Sequence, residues 1–330
     1  MQRNRKEQSS QVSGGVASIK QMMNKSALMG PIFALVFLLI ALSFVNENFM
    51  TTTNIINILR QASVLAVIAV GQTMVIISGG IDLSVASIAN ISTVVIATYI
   101  TTPETPWFFI ALVVLVLGGL MGMVNGLLIT FIKIPPIITT LATSITFGGI
   151  AYLYTDGYGV TMPSTNSIVS WGRANIGPIP SLVIIMVIVY LIFNVVMKRT
   201  KLGRTVYGLG GNREAVHLSG ISVNRNLIYV HIISGVLAAF AGLLLTARLN
   251  SGHPTTAENM EMDSIAATVL GGTSVNGGIG TLWGTLIGVF IIIVINNGLT
   301  MLGVSPYWQK VAKGLVMIIS VGISTVRSKN

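Results

Sequence analysis

The sequence predicts an all-α polytopic membrane protein with about ten transmembrane helices. Three observations carry this reading. Charged residues make up 8% of the 330-residue chain, against roughly 25% in a soluble domain. Apolar runs of the length that crosses a bilayer, about 20 residues, recur along the whole chain. Those runs do not alternate: SLVIIMVIVYLIFNVVM at 181–197 is continuous, whereas the strands of a membrane barrel alternate apolar and polar.

The elements follow in order. Residues 1–27 hold Arg3, Arg5, Lys6, Lys20 and Lys25 among many Ser, Gln and Asn. This stretch is too polar to bury a core and reads as a disordered cytoplasmic tail. The first apolar run, 28–45, has no small-residue cleavage site after it and reads as an uncleaved anchor. Further spans are expected at 61–78, 83–100, 107–131, 136–154, 181–197, 226–247, 263–272, 281–298 and 307–325. The run at 263–272 is too short to cross alone and is expected to be broken or re-entrant, which requires protein or a wet cavity around it. The transmembrane domain is therefore expected at 28–326, with a polar inner loop at 198–225 and a cytoplasmic end at 327–330.

Orientation comes from Lys and Arg. With the N-terminus inside, fourteen of them fall in inner segments, and the outer segments hold Arg60, Arg173 and Arg248. Lys310 and Lys313 belong to the last span or its approach. This bias puts both termini in the cytoplasm. It also explains the net charge of +10 without nucleic acid. The connection 155–180 is then external, and Asp156 and Arg173 in it are candidates for contact with an outer partner. Glu258, Glu261 and Asp263 form a small acidic cluster on the same side. They read either as a solvated loop or as ion-pair partners for a docking protein. There is no cysteine, so neither disulfide nor thiol chemistry is available.

The inner stretch 208–221, GLGGNREAVHLSGI, carries its own local structure. Asn212 is a good helix N-cap, Glu214 suits the positive end of the helix dipole, and Gly220 suits the left-handed position that ends a helix. About two turns lie between, with Ala215, Val216 and Leu218 as small or apolar contacts. So short a helix needs a surface to pack on, and a protein groove suits it better than lipid headgroups.

Polar residues inside the spans are functional candidates by default. Asp82 follows Gly79, Gly80 and Ile81, close to the inner interface where water reaches it. It either caps the next helix together with Ser84, lines the path or a gate, or carries protons. Asn125 lies among Gly118, Gly119, Gly122 and Gly126, on a helix that packs closely on a neighbour or on a partner subunit. GGTSVNGG at 271–278 is either a tight turn for close helix approach or an anion cradle. Asn296 and Asn297 near an outer helix end read as caps more readily than as ligand-binding groups. His217, His231 and His253 show no metal-binding spacing, and no Ser, His and Asp set points to catalysis.

Four stretches together resemble a known family. LGRTVYGLGGNREAVHLSGISVNR is similar to the cytoplasmic coupling loop of the ribose-type permeases of bacterial ATP-binding-cassette (ABC) sugar importers. The stretches GQTMVIISGGIDLSVASI (71–88), 262–289 and 296–318 resemble further segments of that family, in the same order. The resemblance implies a type II ABC importer-like permease of ten spans that works as a pair. It implies two cytoplasmic ATPase domains below and a periplasmic sugar-binding protein above. Asn212, Arg213, Glu214, Ala215, Val216, Leu218, Ser219 and Gly220 would form the helix that enters a cleft of the ATPase. The chain lacks GxxxxGK[ST], so it is expected to bind no cofactor itself and to depend on ATP used by its partner. The expected cargo is a small neutral sugar, a pentose or related monosaccharide. The alternative is an ion-coupled secondary transporter built around Asp82.

Overall fold

The computed structural model describes residues 28–329; the tail expected at 1–27 lies outside them. Helices carry the architecture. The first, α1, runs Leu28–Val45 and exposes its apolar surface. Next comes α2, Thr52–Ile77, with the Thr51 side chain accepting from the Asn54 N–H as its N-cap. It starts well before the expected 61, because its polar first turns are held by protein rather than water. Asn54 and Asn297 exchange amide hydrogen bonds of 3.0 and 2.8 Å, and Arg60 bonds to the Arg173 carbonyl. Arg60 is therefore a helix residue, not a loop residue.

Helix α3, Val85–Tyr99, has 15 residues, about 22 Å of helix against a hydrocarbon core of about 30 Å. It is largely buried, so other helices complete the crossing around it. Helix α4, Trp107–Leu127, widens into a π turn at Leu128–Ile132 and ends at Lys133 in the left-handed region (φ 63°). Helix α5, Pro136–Thr155, starts on a proline, whose missing N–H costs nothing there. The connection after it holds α6, Ser167–Arg173, and Trp171 of α6 stacks on Trp107 with ring centroids 6.3 Å apart.

Helix α7, Ser181–Arg199, is followed by α8, Lys201–Gly211, and α9, Arg213–Leu218. The chain then enters α10, Val223–Leu249. Helix α11, Met260–Leu270, has 11 residues and about 16 Å of length. It packs on α2, on α12 (Leu282–Met301) and on α13 (Pro306–Lys329). That is the protein-enclosed partial helix expected at 263–272. Seven described helices are long and apolar enough to cross a membrane; α3 and α11 fall short of that length. Four two-residue strands tie the loops: β1 (Val160–Thr161) pairs antiparallel with β4 (Ser251–Gly252), and β2 (Asn175–Ile176) with β3 (Ile179–Pro180).

The core sits on α2 and α10. Every residue of α2 from Ala62 to Ile77 is buried, and α10 packs against α4, α3 and α2. The α4–α10 contact explains the glycines of α4. A methyl group on Gly122 would strike the His231 carbonyl, one on Gly118 the Gly235 carbonyl at 2.5 Å, and one on Gly126 the Ile228 Cα at 2.7 Å. Small residues let the two backbones touch, so the small face of α4 is used within the chain.

Candidate functional site

The ends of α2 mark two faces of the molecule, one carrying α8 and α9, the other α6. On the α9 face, Asn212 caps α9 by accepting from the Ala215 N–H at 2.9 Å, and Glu214 lies in its first turn. Gly220 follows in the left-handed region (φ 77°). The surface beneath α9 belongs to the chain itself: Val216 is buried against Leu209 of α8 and Leu227 of α10. Leu218 does not share that contact and is 79% exposed. Asn212, Arg213, Glu214, Ala215 and Ser219 are exposed as well. A groove of ≈1000 Å³ runs along this surface, lined in part by Lys201, Arg204, Asn212, Ala215 and Ser219.

Helix α8 did not show in the sequence, where 198–211 reads as polar loop. It is amphipathic: Val206 and Leu209 are buried, Lys201 and Arg204 exposed. Glycine at 203, 208, 210 and 211 hides it by lowering helix propensity. Two of these are required by contact, since a methyl group on Gly203 would strike the Met197 carbonyl and one on Gly210 the Ile77 carbonyl.

Gly210 belongs to a junction of three backbones. The Gly278 N–H donates to the Ile77 carbonyl at 2.8 Å. A methyl group on Gly277 would lie 2.9 Å from the Gly210 Cα and 3.1 Å from the Gly79 Cα. Gly79, Gly277 and Gly278 all have positive φ, which glycine adopts at no steric cost. Side chains reinforce the contact: the Tyr207 hydroxyl donates to the Gly280 carbonyl at 2.9 Å, and Arg213 to the Ser78 carbonyl at 3.4 Å. GGTSVNGG therefore serves close approach. It joins the α8–α9 segment to the end of α2 and to the turn before α12.

Asp82 is not at a wet interface: it is fully buried. The chain folds back over it where α2 ends and α3 begins. One carboxylate oxygen accepts from the Ser84 N–H (2.9 Å) and hydroxyl (2.6 Å), and the other from the Ser234 hydroxyl of α10 (2.9 Å). Gln72 of α2, with its amide oriented to match, donates to the Asp82 carbonyl at 2.9 Å and accepts from its N–H at 3.3 Å. Asn125 donates to the Ser84 hydroxyl at 2.8 Å and accepts from Thr143 of α5 at 2.7 Å. The cluster thus joins Asp82 and Ser84, which the sequence pairs at a helix start, to Asn125, which reads there as a helix-packing residue, and adds Gln72, Thr143 and Ser234, which the sequence does not single out. Each hydrogen bond satisfies a group that would otherwise be costly in a low-dielectric interior.

On the α6 face, the expected docking residues do not form one group. Asp156 ends α5 in the left-handed region (φ 50°) and is exposed. Glu258 pairs with Lys310 at 3.4 Å, and Asp263 with Lys313 at 2.8 Å. Glu261 is half-buried, and burial pushes its carboxyl up from the ordinary range. Arg173 lies instead with Arg60 and Arg248. Asn297 is not a cap but the partner of Asn54. His231 is buried with Nδ1 at 2.9 Å from the Leu227 carbonyl, and His253 holds a turn through Thr255.

The seven helices of spanning length and composition, with a structured polar segment packed on one face, define an integral membrane protein. The chain belongs to the family described as branched-chain amino acid transport system / permease component, which matches residues 54–321. Among individual proteins it is 44% identical to the ribose import permease protein RbsC of Bacillus subtilis (strain 168), over 91% of this chain and 93% of that one. It is 42% identical to that of Haemophilus influenzae, over 87% and 90%, and 36% identical to the galactose/methyl galactoside import permease protein MglC of Salmonella typhimurium, over 90% and 94%. No solved structure matches.

Proposed function

We propose that this chain is the membrane permease subunit of an ABC importer for a small neutral sugar, a pentose or related monosaccharide. The observation that supports it most is the 44% identity to a ribose import permease across nearly the whole of both chains. Sparse charge in the spans suits a neutral solute. Two copies, or two related permeases, form the path between them in the inner membrane, with both termini cytoplasmic. The α9 face then points into the cell, and the groove along α8 and α9 receives a separate ATPase chain. Asn212 to Gly220 is the coupling element, and Gly79, Asp82, Ser84 and Asn125 belong to the translocation path or its gate. The α6 face receives an extracytoplasmic binding protein. No ion-coupled reading is needed for Asp82, whose carboxylate is occupied by Ser84 and Ser234.

The test is reconstitution with the ATPase and secreted binding protein encoded beside this chain, followed by uptake of labelled ribose and galactose. ATP-dependent ribose uptake is the expected result. Uptake that runs on an ion gradient without ATP would refute the proposal.

A further inference from the structure

A cavity of ≈430 Å³ lies where the start of α13 packs on α11 and α12. Asn259, Asp263, Gln309, Lys310 and Lys313 supply its polar lining. Asn297 of α12 bonds to Asn54 at the start of α2, so this is the α6 end of the molecule. The charges around the cavity are already matched. Lys313 Nζ donates to Asp263 Oδ2 at 2.8 Å, and Lys310 Nζ to Glu258 Oε1 at 3.4 Å. Asp263 is buried, and Asn296 hydrogen-bonds the same carboxyl group. The amides are not used up. Gln309 Nε2 donates to the Val304 carbonyl at 2.9 Å and to the Thr300 hydroxyl at 3.3 Å, while its Oε1 accepts from no donor among the described residues. Asn259 takes the left-handed region (φ 68°), a conformation uncommon outside glycine, without using its side chain to cap α11. Its amide lines the cavity instead, with one long contact to Glu258 at 3.5 Å.

The volume falls within the roughly 300–1,000 Å³ of small-molecule pockets. The lining then selects the molecule. Two ion pairs leave the site without net charge, so a charged ligand gains little by entering. An anionic headgroup would have to draw Lys313 away from Asp263 and leave a buried carboxylate unpaired, which is costly. A hydroxyl group breaks neither pair. It donates to the remaining lone pairs of Asp263 or to the amide oxygens, and it accepts from lysine protons that the pairs do not use. Hydrogen bonds to charged groups are also the stronger ones. The opposite wall is apolar, with Met262, Ile292 and Pro306. A ring that carries several hydroxyls and also presents C–H groups matches both walls, and a monosaccharide is such a ring.

We propose that the cavity between α11, α12 and α13 is a binding site for a neutral monosaccharide, occupied as the sugar enters the permease. This rests on the reading that the chain imports a sugar, and it gives that sugar a site on the chain itself. Asp263 and Lys313 then serve twice, as the tie between α11 and α13 and as ligand-binding groups, and the occupant bridges the two helices.

The chain has no cysteine, so a single introduced one reports on the site. Met262 is 40% exposed at the cavity. Met262→Cys is assembled with the ATPase in phosphatidylcholine nanodiscs, without binding protein, and its reaction with a thiosulfonate reagent is timed against added ribose. Ribose is expected to slow the reaction, about tenfold at about ten times the half-protecting concentration, by mass action. Leu218→Cys, on the opposite face, is expected to react at the same rate with and without sugar. Asn259→Gly keeps the left-handed backbone and removes the amide. Combined with Met262→Cys, it is expected to raise the half-protecting concentration about three- to tenfold, the worth of one hydrogen bond. No protection by ribose or galactose, in a complex that still imports sugar, overturns the site and leaves the functional reading standing. Absence of sugar uptake by the wild-type complex refutes the functional reading instead. Protection by leucine but by neither sugar overturns both. A reaction rate that answers to added phosphatidylglycerol and not to sugar gives the cavity to a lipid headgroup and overturns the proposal. If Met262→Cys does not assemble, saturation-transfer NMR of ribose on the cysteine-free complex gives the second readout. The signal is expected to fall in Asn259→Gly, and an equal signal in wild type and variant overturns the proposal.

Discussion

The Asp82 carboxylate accepts hydrogen bonds from the Ser84 N–H, the Ser84 hydroxyl and the Ser234 hydroxyl. A neutral amide reproduces most of this: its oxygen still takes the Ser84 donors, and the Ser234 hydroxyl rotates to accept from the new N–H₂. Asp82→Asn is therefore expected to insert normally and keep most uptake. Asp82→Ala leaves buried donors unmet at about 1–3 kcal/mol each and is expected to lower the amount of assembled complex. Uptake and membrane level measured together check both; loss of uptake in Asp82→Asn at normal level would point to a role for the charge itself. The local half of this cluster was legible, because Asp82 and Ser84 are two residues apart and sit where a helix begins. Ser234 was not, since it is one polar residue on a long apolar helix and only the packing of α10 on α2 and α3 brings it to Asp82.

Among the elements, α9 was readable from its caps, Asn212 and Gly220, whereas α8 was hidden by glycines whose purpose is contact with distant backbone. Each gives a prediction. Gly220 has φ 77°, which proline cannot adopt, so Gly220→Pro is expected to distort the end of α9, weaken retention of the ATPase and uncouple ATP hydrolysis from uptake. Full ATPase co-purification and normal transport at normal membrane level would count against α9 as the coupling element. Gly210→Ala forces a methyl group against the Ile77 carbonyl, and overpacking of this kind costs about 1–3 kcal/mol. It is expected to leave ATPase binding largely intact and to lower transport per ATP hydrolysed, as measured by paired uptake and hydrolysis assays. The groove along α8 and α9 stays exposed in that variant; what changes is its connection to α2.

At the scale of the whole molecule, the apolar runs announced the bundle, and their lengths gave most spans to within a few residues. The start of α2 was misplaced because Asn54 and Arg60 look like loop residues until Asn297 and Arg173 are beside them. The absence of cysteine makes the proposed orientation easy to check. Asn175→Cys on the exposed α6 face is expected to react with a membrane-impermeant maleimide in intact cells or spheroplasts. Leu218→Cys, 79% exposed in the wild type, is expected to react only after the membrane is opened. Labelling in the reverse order would invert the assignment of the two faces.

The glycine junction also bears on how such proteins can be recombined. Grafting the α8–α9 stretch of another permease onto this chain, to give it a different ATPase, transfers only one of three fitted backbones. Ile77–Gly79 and Gly277–Gly278 stay behind, shaped for Gly210. A functional chimera should therefore need all three segments from the same parent, although more than a hundred residues separate the first from the second. The unit of exchange in this fold is a contact, and it cannot be cut out as a single piece of sequence.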